Sequence, residues 1–158
     1  MKKLFDKNIK LIIFDWGRTL YNPETKNLFP DTKDILNYLS PKYILAIVAL
    51  ATAGQEKIEE RLKIIKDEEL EQYFESILFH QSDKNSLYTK TLKILDIQPE
   101  ETIIVDDRVN RGIKWGNQNR AKTVWFQNGK CKNDLPNKES GEPNCIIRNL
   151  SEIKTIIS

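Results

Sequence analysis

Ile9-Lys10-Leu11-Ile12-Ile13-Phe14-Asp15 is a near-continuous apolar run that ends on a carboxylate. A strand with one wet face alternates apolar and polar residues; this one does not, so Ile9 to Phe14 reads as a strand buried on both faces. Ile44 to Leu50 and Thr102 to Val105 have the same character, and Ser76 to Phe79, Thr123 to Phe126 and Cys145 to Ile147 are shorter candidates. Amphipathic stretches separate them. Thr32 to Leu39 carries Ile35, Leu36 and Leu39 on one face, and Gln55 to Ile65 carries Ile58, Leu62 and Ile65. Asp83 can cap a third helix with Leu87, Thr91, Ile94 and Leu95 on one face, and Val109 to Asn117 and Leu150 to Ile157 complete the set. Alternating β and α elements of this kind specify an α/β fold: a Rossmann-like three-layer sandwich with a central, mostly parallel sheet of five or six strands.

The 158 residues suit a single domain, 1–158, and Asn128 to Asn144, rich in Asn, Lys, Gly and Pro, reads as one long surface loop. With 25 Lys+Arg against 23 Asp+Glu, the chain has no basic stripe for a phosphate backbone, so no specific nucleic-acid partner is indicated. Met1 to Lys7 regains charge before a secretory signal could develop, and the longest apolar run, Tyr43 to Ala53, is shorter than the ~20 residues of a membrane span. No membrane partner is expected, and the expected location is cytoplasmic. Cys131 and Cys145 read as free thiols.

In a doubly wound sheet, ligands bind beyond the carboxyl ends of the strands. The residues there are Asp15 after the first strand, Thr52 after the second, Lys84 at the helix following the third, and Asp106 and Asp107 after the fourth. Singly, each has an ordinary structural use: turn, helix cap or solvated surface. Together, converging carboxylates with a hydroxyl and an ammonium suit a hard divalent cation that bridges to a phosphate oxygen, because like charges this close repel unless a cation lies between them.

That order, D-x-x-x-T, then Thr, Lys and Asp-Asp, resembles the haloacid dehalogenase (HAD) superfamily over nearly the whole chain. The sharpest matches are Ile12-Ile13-Phe14-Asp15-Trp16-Gly17-Arg18-Thr19-Leu20 and Pro99-Glu100-Glu101-Thr102-Ile103-Ile104-Val105-Asp106-Asp107. A receiver domain uses similar parts in a different order. The resemblance implies a Mg2+-dependent phosphatase in which Asp15 attacks phosphorus to give an aspartyl-phosphate, Thr52 holds the transferring oxygens and Lys84 neutralises charge, with Lys90 the alternative lysine. Mg2+ would be held by Asp15, the Gly17 carbonyl, Asp107 and Asp106.

Two departures from the family pattern stand out. Gly17 occupies the place of the usual second Asp, which protonates the leaving group, and Arg111 and Gly112 stand where an outer acidic residue is common. The first departure predicts poor turnover of alkyl phosphates; an inactive pseudophosphatase that binds phosphate or protein is the alternative, and a metal-free carbon–halogen hydrolase a third reading. Arg18 either adds a cation to the site or points into solvent, and Trp16 either stacks on a substrate ring or packs. Trp115 and Trp125 read as core or sheet-surface residues, and His80 as a bystander. The stretches from Leu20 to Thr52 and from Thr52 to Lys84 are each used up by one helix and its strand, so no cap domain is expected. An open site favours a phosphorylated substrate of macromolecular size, or a neighbouring subunit that serves as the lid.

Overall fold

The computed structural model of the chain describes Phe5 and residues 8–157; the rest of the Met1 to Lys7 stretch lies outside the described residues. Six parallel strands form the central sheet: β1 (Leu11–Phe14), β4 (Ile44–Leu50), β5 (Ser76–His80), β6 (Thr102–Asp106), β7 (Lys122–Phe126) and β8 (Cys145–Ile147), in the order β5-β4-β1-β6-β7-β8. A small hairpin with two residues in each strand, β2 (Tyr21–Asn22) with β3 (Asn27–Leu28), intervenes between β1 and the first helix. The helices are α1 (Thr32–Leu39), α2 (Gln55–Asp67), α3 (Asn85–Leu95), α4 (Lys114–Gln118) and α5 (Ile153–Ile156). This is the expected α/β sandwich. Between β1 and α1 the chain inserts only the hairpin, and between α2 and β5 only one short turn, so no cap is evident among the described residues.

Strand alternation divides the interior. Ile12 and Phe14 face one side of the sheet with Ile47, Val105, Val124 and the α1 residues Ile35, Leu36 and Leu39. Leu11 and Ile13 face the other, against Leu87, Tyr88 and Leu92 of α3 and Trp115 of α4. Both faces of β1 are fully buried, which explains its unbroken apolar run.

The differences from the sequence reading have local causes. The first strand starts at Leu11, after Ile9 and Lys10. On α2, Ile58 and Ile65 are buried but Leu62 is exposed, and on α3 Ile94 is exposed while Tyr88 and Leu92 take core positions. The segment expected as one helix from Val109 begins with a π-type turn, Val109–Ile113, before α4. The last helix is likewise split, a short turn at Leu150–Glu152 preceding α5. Cys131 is buried, Cys145 is partly buried, and both are free. No helix among the described residues is long and apolar enough to cross a membrane.

Candidate active site

The chain leaves β1 toward β4 and β5 on one side and later returns through β6 toward β7 and β8 on the other, so the order reverses at β1/β6. A crevice opens there, at the strand ends that carry Asp15 and Asp106. Register places Phe14 beside Val105, and the Asp15 amide donates to the Val105 carbonyl at 3.0 Å. Asp15, Asp106 and Asp107 are all buried, each with an oxygen within 4.8 Å of the others'.

Lys84 joins the cluster from the start of α3. Its Nζ donates to Asp15 Oδ1 at 3.1 Å and to Asp106 Oδ2 at 2.6 Å, and the residue is buried. Lys90, the alternative, is exposed further along α3. The turn that delivers Lys84 is tied locally: His80 Nδ1 accepts the amides of Ser82 and Asp83 at 3.0 and 2.9 Å, and Asp83 accepts the Ser86 amide at 3.1 Å. The bystander histidine is therefore a turn anchor.

Asp106 is saturated. Besides Lys84, its Oδ2 accepts the Gly112 amide at 2.9 Å and its Oδ1 the Arg108 amide at 3.0 Å. A Cβ on Gly112 would stand 2.4 Å from Asp106 Oδ2 and 2.8 Å from the Tyr88 hydroxyl, so no side chain, acidic or otherwise, fits there unless Asp106 or Tyr88 shifts. Asp107 is held through its main chain, whose carbonyl accepts the Trp125 indole N–H at 3.0 Å.

The charges are unevenly shared. Burial opposes ionisation of Asp106, but Lys84 and the two amides together outweigh it and hold the carboxyl below its ordinary range. Asp15 is raised by burial, with Lys84 opposing, and Asp107 is pushed up to about 10 by burial and by the charges of Asp15 and Asp106. Burial works against the Lys84 ammonium as well, yet Asp106 and Asp15 keep it charged far into the alkaline range. Three buried carboxylates around one ammonium thus cannot all ionise unaided: a proton on Asp107 relieves the negative excess, and a divalent cation would take that proton's place.

Thr52, Trp16, Arg18 and Gly17 take no part in the side-chain hydrogen bonds of this cluster. Thr52 is exposed in the turn after β4, with no hydrogen bond to the carboxylates. Trp16 is fully buried and stacked on Tyr21, with 5.5 Å between ring centroids, which makes it packing for the hairpin rather than a platform for a substrate ring. Arg18, with φ of 61°, sends its guanidinium to Glu24 at 3.2 Å, while its carbonyl accepts the Asn128 side chain at 2.9 Å. At Gly17 an added Cβ would meet nothing within 4 Å.

Three neighbours were not singled out from sequence. Thr19 donates to Asp15 Oδ2 at 3.4 Å from a fully buried position; it was legible only as the last residue of D-x-x-x-T. Tyr88 lies under Lys84, ring centroid 5.8 Å from Nζ, one helical turn on. Arg61 donates from α2 to the Leu50 carbonyl at the end of β4. No local pattern marks the last two.

Residues 1–126 match the haloacid dehalogenase-like hydrolase family. The chain belongs to that family. A 77-residue segment is 34% identical to the glyceraldehyde 3-phosphate phosphatase of Pyrococcus furiosus, covering 45% of this HAD chain and 32% of that protein. The chain thus spans about a third of that relative's length. Among solved structures, the magnesium-bound protein YfnB from Bacillus subtilis superposes with a TM-score of 0.78 at 15% identity, over 96% of this chain and 100% of the other. A predicted phosphoglycolate phosphatase from Haemophilus somnus 129pt gives 0.74 at 16% identity, over 95% and 98%. A HAD phosphatase from Thermococcus onnurineus gives 0.64 at 24%, over 82% and 58%. At such identities the structures establish a shared HAD fold.

Proposed function

We propose that this HAD-family chain is a magnesium-dependent phosphatase domain, with no cap among its described residues, acting through an aspartyl-phosphate on Asp15. The observation that carries the reading is the bridge of Lys84 Nζ between Asp15 at 3.1 Å and Asp106 at 2.6 Å, with Asp107 in the same buried cluster. Family membership and the phosphatase relative support the reaction class.

The donor set suits a hard cation: all-oxygen ligands and a negative excess. Asp15, Asp107 and the Gly17 carbonyl would hold it; Asp106, its oxygens already taken by Lys84 and two amides, would orient the lysine instead. When bound, the ion supplies charge neutralisation at the phosphoryl oxygens. Asp15 then forms its Oδ–P bond as the P–O bond to the leaving group breaks, and water later cleaves the acyl phosphate. Lys84 keeps its charge throughout and offsets that of the incoming phosphoryl group. Thr52, exposed on the same rim of the sheet, is the hydroxyl available to the transferring oxygens.

No side chain at Gly17 protonates the leaving group, so aryl phosphates, which need little protonation, should be turned over in preference to alkyl phosphates. Loss of p-nitrophenyl phosphate hydrolysis on chelation and in Asp15→Asn is the expected result; activity surviving in Asp15→Asn would overturn the assignment. The bare Gly17 is also what favours the second reading, a pseudophosphatase. Calorimetry showing magnesium and an inert phosphate analogue bound, with no turnover of any aryl ester, would establish it.

A further inference from the structure

A cavity of about 310 Å³ opens between the β2–β3 hairpin, α2 and the segment that follows Asp15. Trp16 and Gly17, the two residues after Asp15, line it, and Arg18, Lys26, Lys57 and Arg61 surround it with Glu60 the only acidic lining residue. On α2, Lys57 and Arg61 are one turn apart and so share a face of the helix. Lys26 is set at the hairpin tip by its left-handed backbone, φ 58°.

These cations are incompletely paired. Arg18 meets Glu24 at 3.2 Å and Lys57 meets Glu60 at 2.9 Å, contacts exposed enough to exchange readily for a better anion. Lys26 and Arg61 have no ion-pair partner within 4.0 Å among the described residues, and Arg61 is half-buried, donating instead to a main-chain carbonyl. Burial works against its charge, and Asp15 is the largest influence sustaining it, so the guanidinium lies within the electrostatic reach of the nucleophile. The buried Trp16 indole N–H in the same wall also lacks an acceptor.

We infer that this cavity is the leaving-group subsite, and that the chain takes small phosphate monoesters whose leaving group carries a second negative charge. The inference rests on the phosphatase reading for the reaction and on the cavity for the specificity. The volume lies at the small end of ligand pockets, about 300–1,000 Å³, so it suits a small molecule and not the large substrate that an open site suggested. Cations beside the nucleophile would recognise a carboxylate or a second phosphate by charge-assisted hydrogen bonds.

The test compares phenyl phosphate with 3-carboxyphenyl phosphate, whose leaving groups differ little in basicity. The expected kcat/KM ratio favours the carboxylated ester by about tenfold, as one charge-assisted hydrogen bond provides, and shrinks as salt is added. Arg61→Gln and Lys57→Gln should bring the ratio toward one, Glu60→Gln should raise it, and Lys63→Gln, the same charge lost from α2 outside the cavity, should leave it alone. A ratio near one in the unaltered protein, or an equal fall in Lys63→Gln, would overturn the subsite. So would Arg61→Gln slowing both esters alike, since the cations would then serve the transferred phosphoryl group. If neither ester is hydrolysed, the reaction assignment fails on its own; calorimetric binding of the two esters, with the carboxylated one tighter by the same factor, still decides the subsite.

Discussion

On the proposed mechanism, Gly17 sets what Asp15 can do. Its missing side chain leaves open space, with nothing within 4 Å of an added Cβ, and its φ lies outside the left-handed region. Gly17→Asp should therefore be accommodated and should raise kcat on an alkyl phosphate by about 10²-fold or more, since positioned acid–base help is worth about 10²–10⁴; steady-state rates on alkyl and aryl esters measure it, and an unchanged alkyl rate would show that position 17 does not face the leaving group. Lys84 is the converse case, one cation on which two carboxylates depend. Lys84→Met should cost about 3–5 kcal/mol in urea unfolding at neutral pH, because it strands two buried charges, and the deficit should shrink in acid as they protonate. Asp15, Asp106, Asp107 and Lys84 were legible in the sequence because each directly follows a strand or opens the next helix, where chain order alone assigns a location. Tyr88 and Arg61 were not, because each reaches the site from a helix face whose orientation depends on packing.

Among the elements, the apolar strands were legible from their unbroken apolar runs, whereas the hairpin β2–β3 was not, having only two residues in each strand and no alternation to show. The π-type turn Val109–Ile113 was equally hidden, since it goes with a side-chain hydrogen bond from the turn back to the end of β6 that no residue pattern announces. Asp106 draws the Gly112 amide to 2.9 Å, and that approach leaves no volume for a Cβ. Gly112→Ala should thus behave as overpacking, at about 1–3 kcal/mol of stability by denaturant titration. It should also displace Asp106 from Lys84 and lower kcat more than KM. A stable and fully active Gly112→Ala protein would show that the turn relaxes freely and that Asp106 is not held by it. The long segment between β7 and β8 contributes at this scale too, because Asn128 clamps the Arg18 carbonyl and so braces the hairpin that walls the cavity.

At the scale of the whole molecule, six parallel strands bring carboxylates that are distant in sequence to one edge of the sheet, and folding therefore concentrates negative charge. Proton linkage makes that cost measurable. Without a cation, burial and the charges of Asp15 and Asp106 push the Asp107 carboxyl up to about 10, whereas in the unfolded chain it returns to its ordinary value of 3.8. Between those limits the folded state holds the extra proton, so stability falls as pH rises, by up to about 1.4 kcal/mol per pH unit for one such group. Asp106, held low, acts in the opposite sense and withdraws its stabilisation only as the solution becomes acid. A divalent cation bound by Asp15 and Asp107 must displace the Asp107 proton, so its stabilising effect should grow with pH. The rise in Tm produced by millimolar magnesium should be larger at pH 8 than at pH 6. Calorimetry in buffers of different ionisation enthalpy should register close to one proton released per ion, and both effects should be lost in Asp107→Asn. A magnesium shift in Tm independent of pH, or one retained in Asp107→Asn, would place the ion elsewhere and leave the cluster to balance its charge by protonation alone.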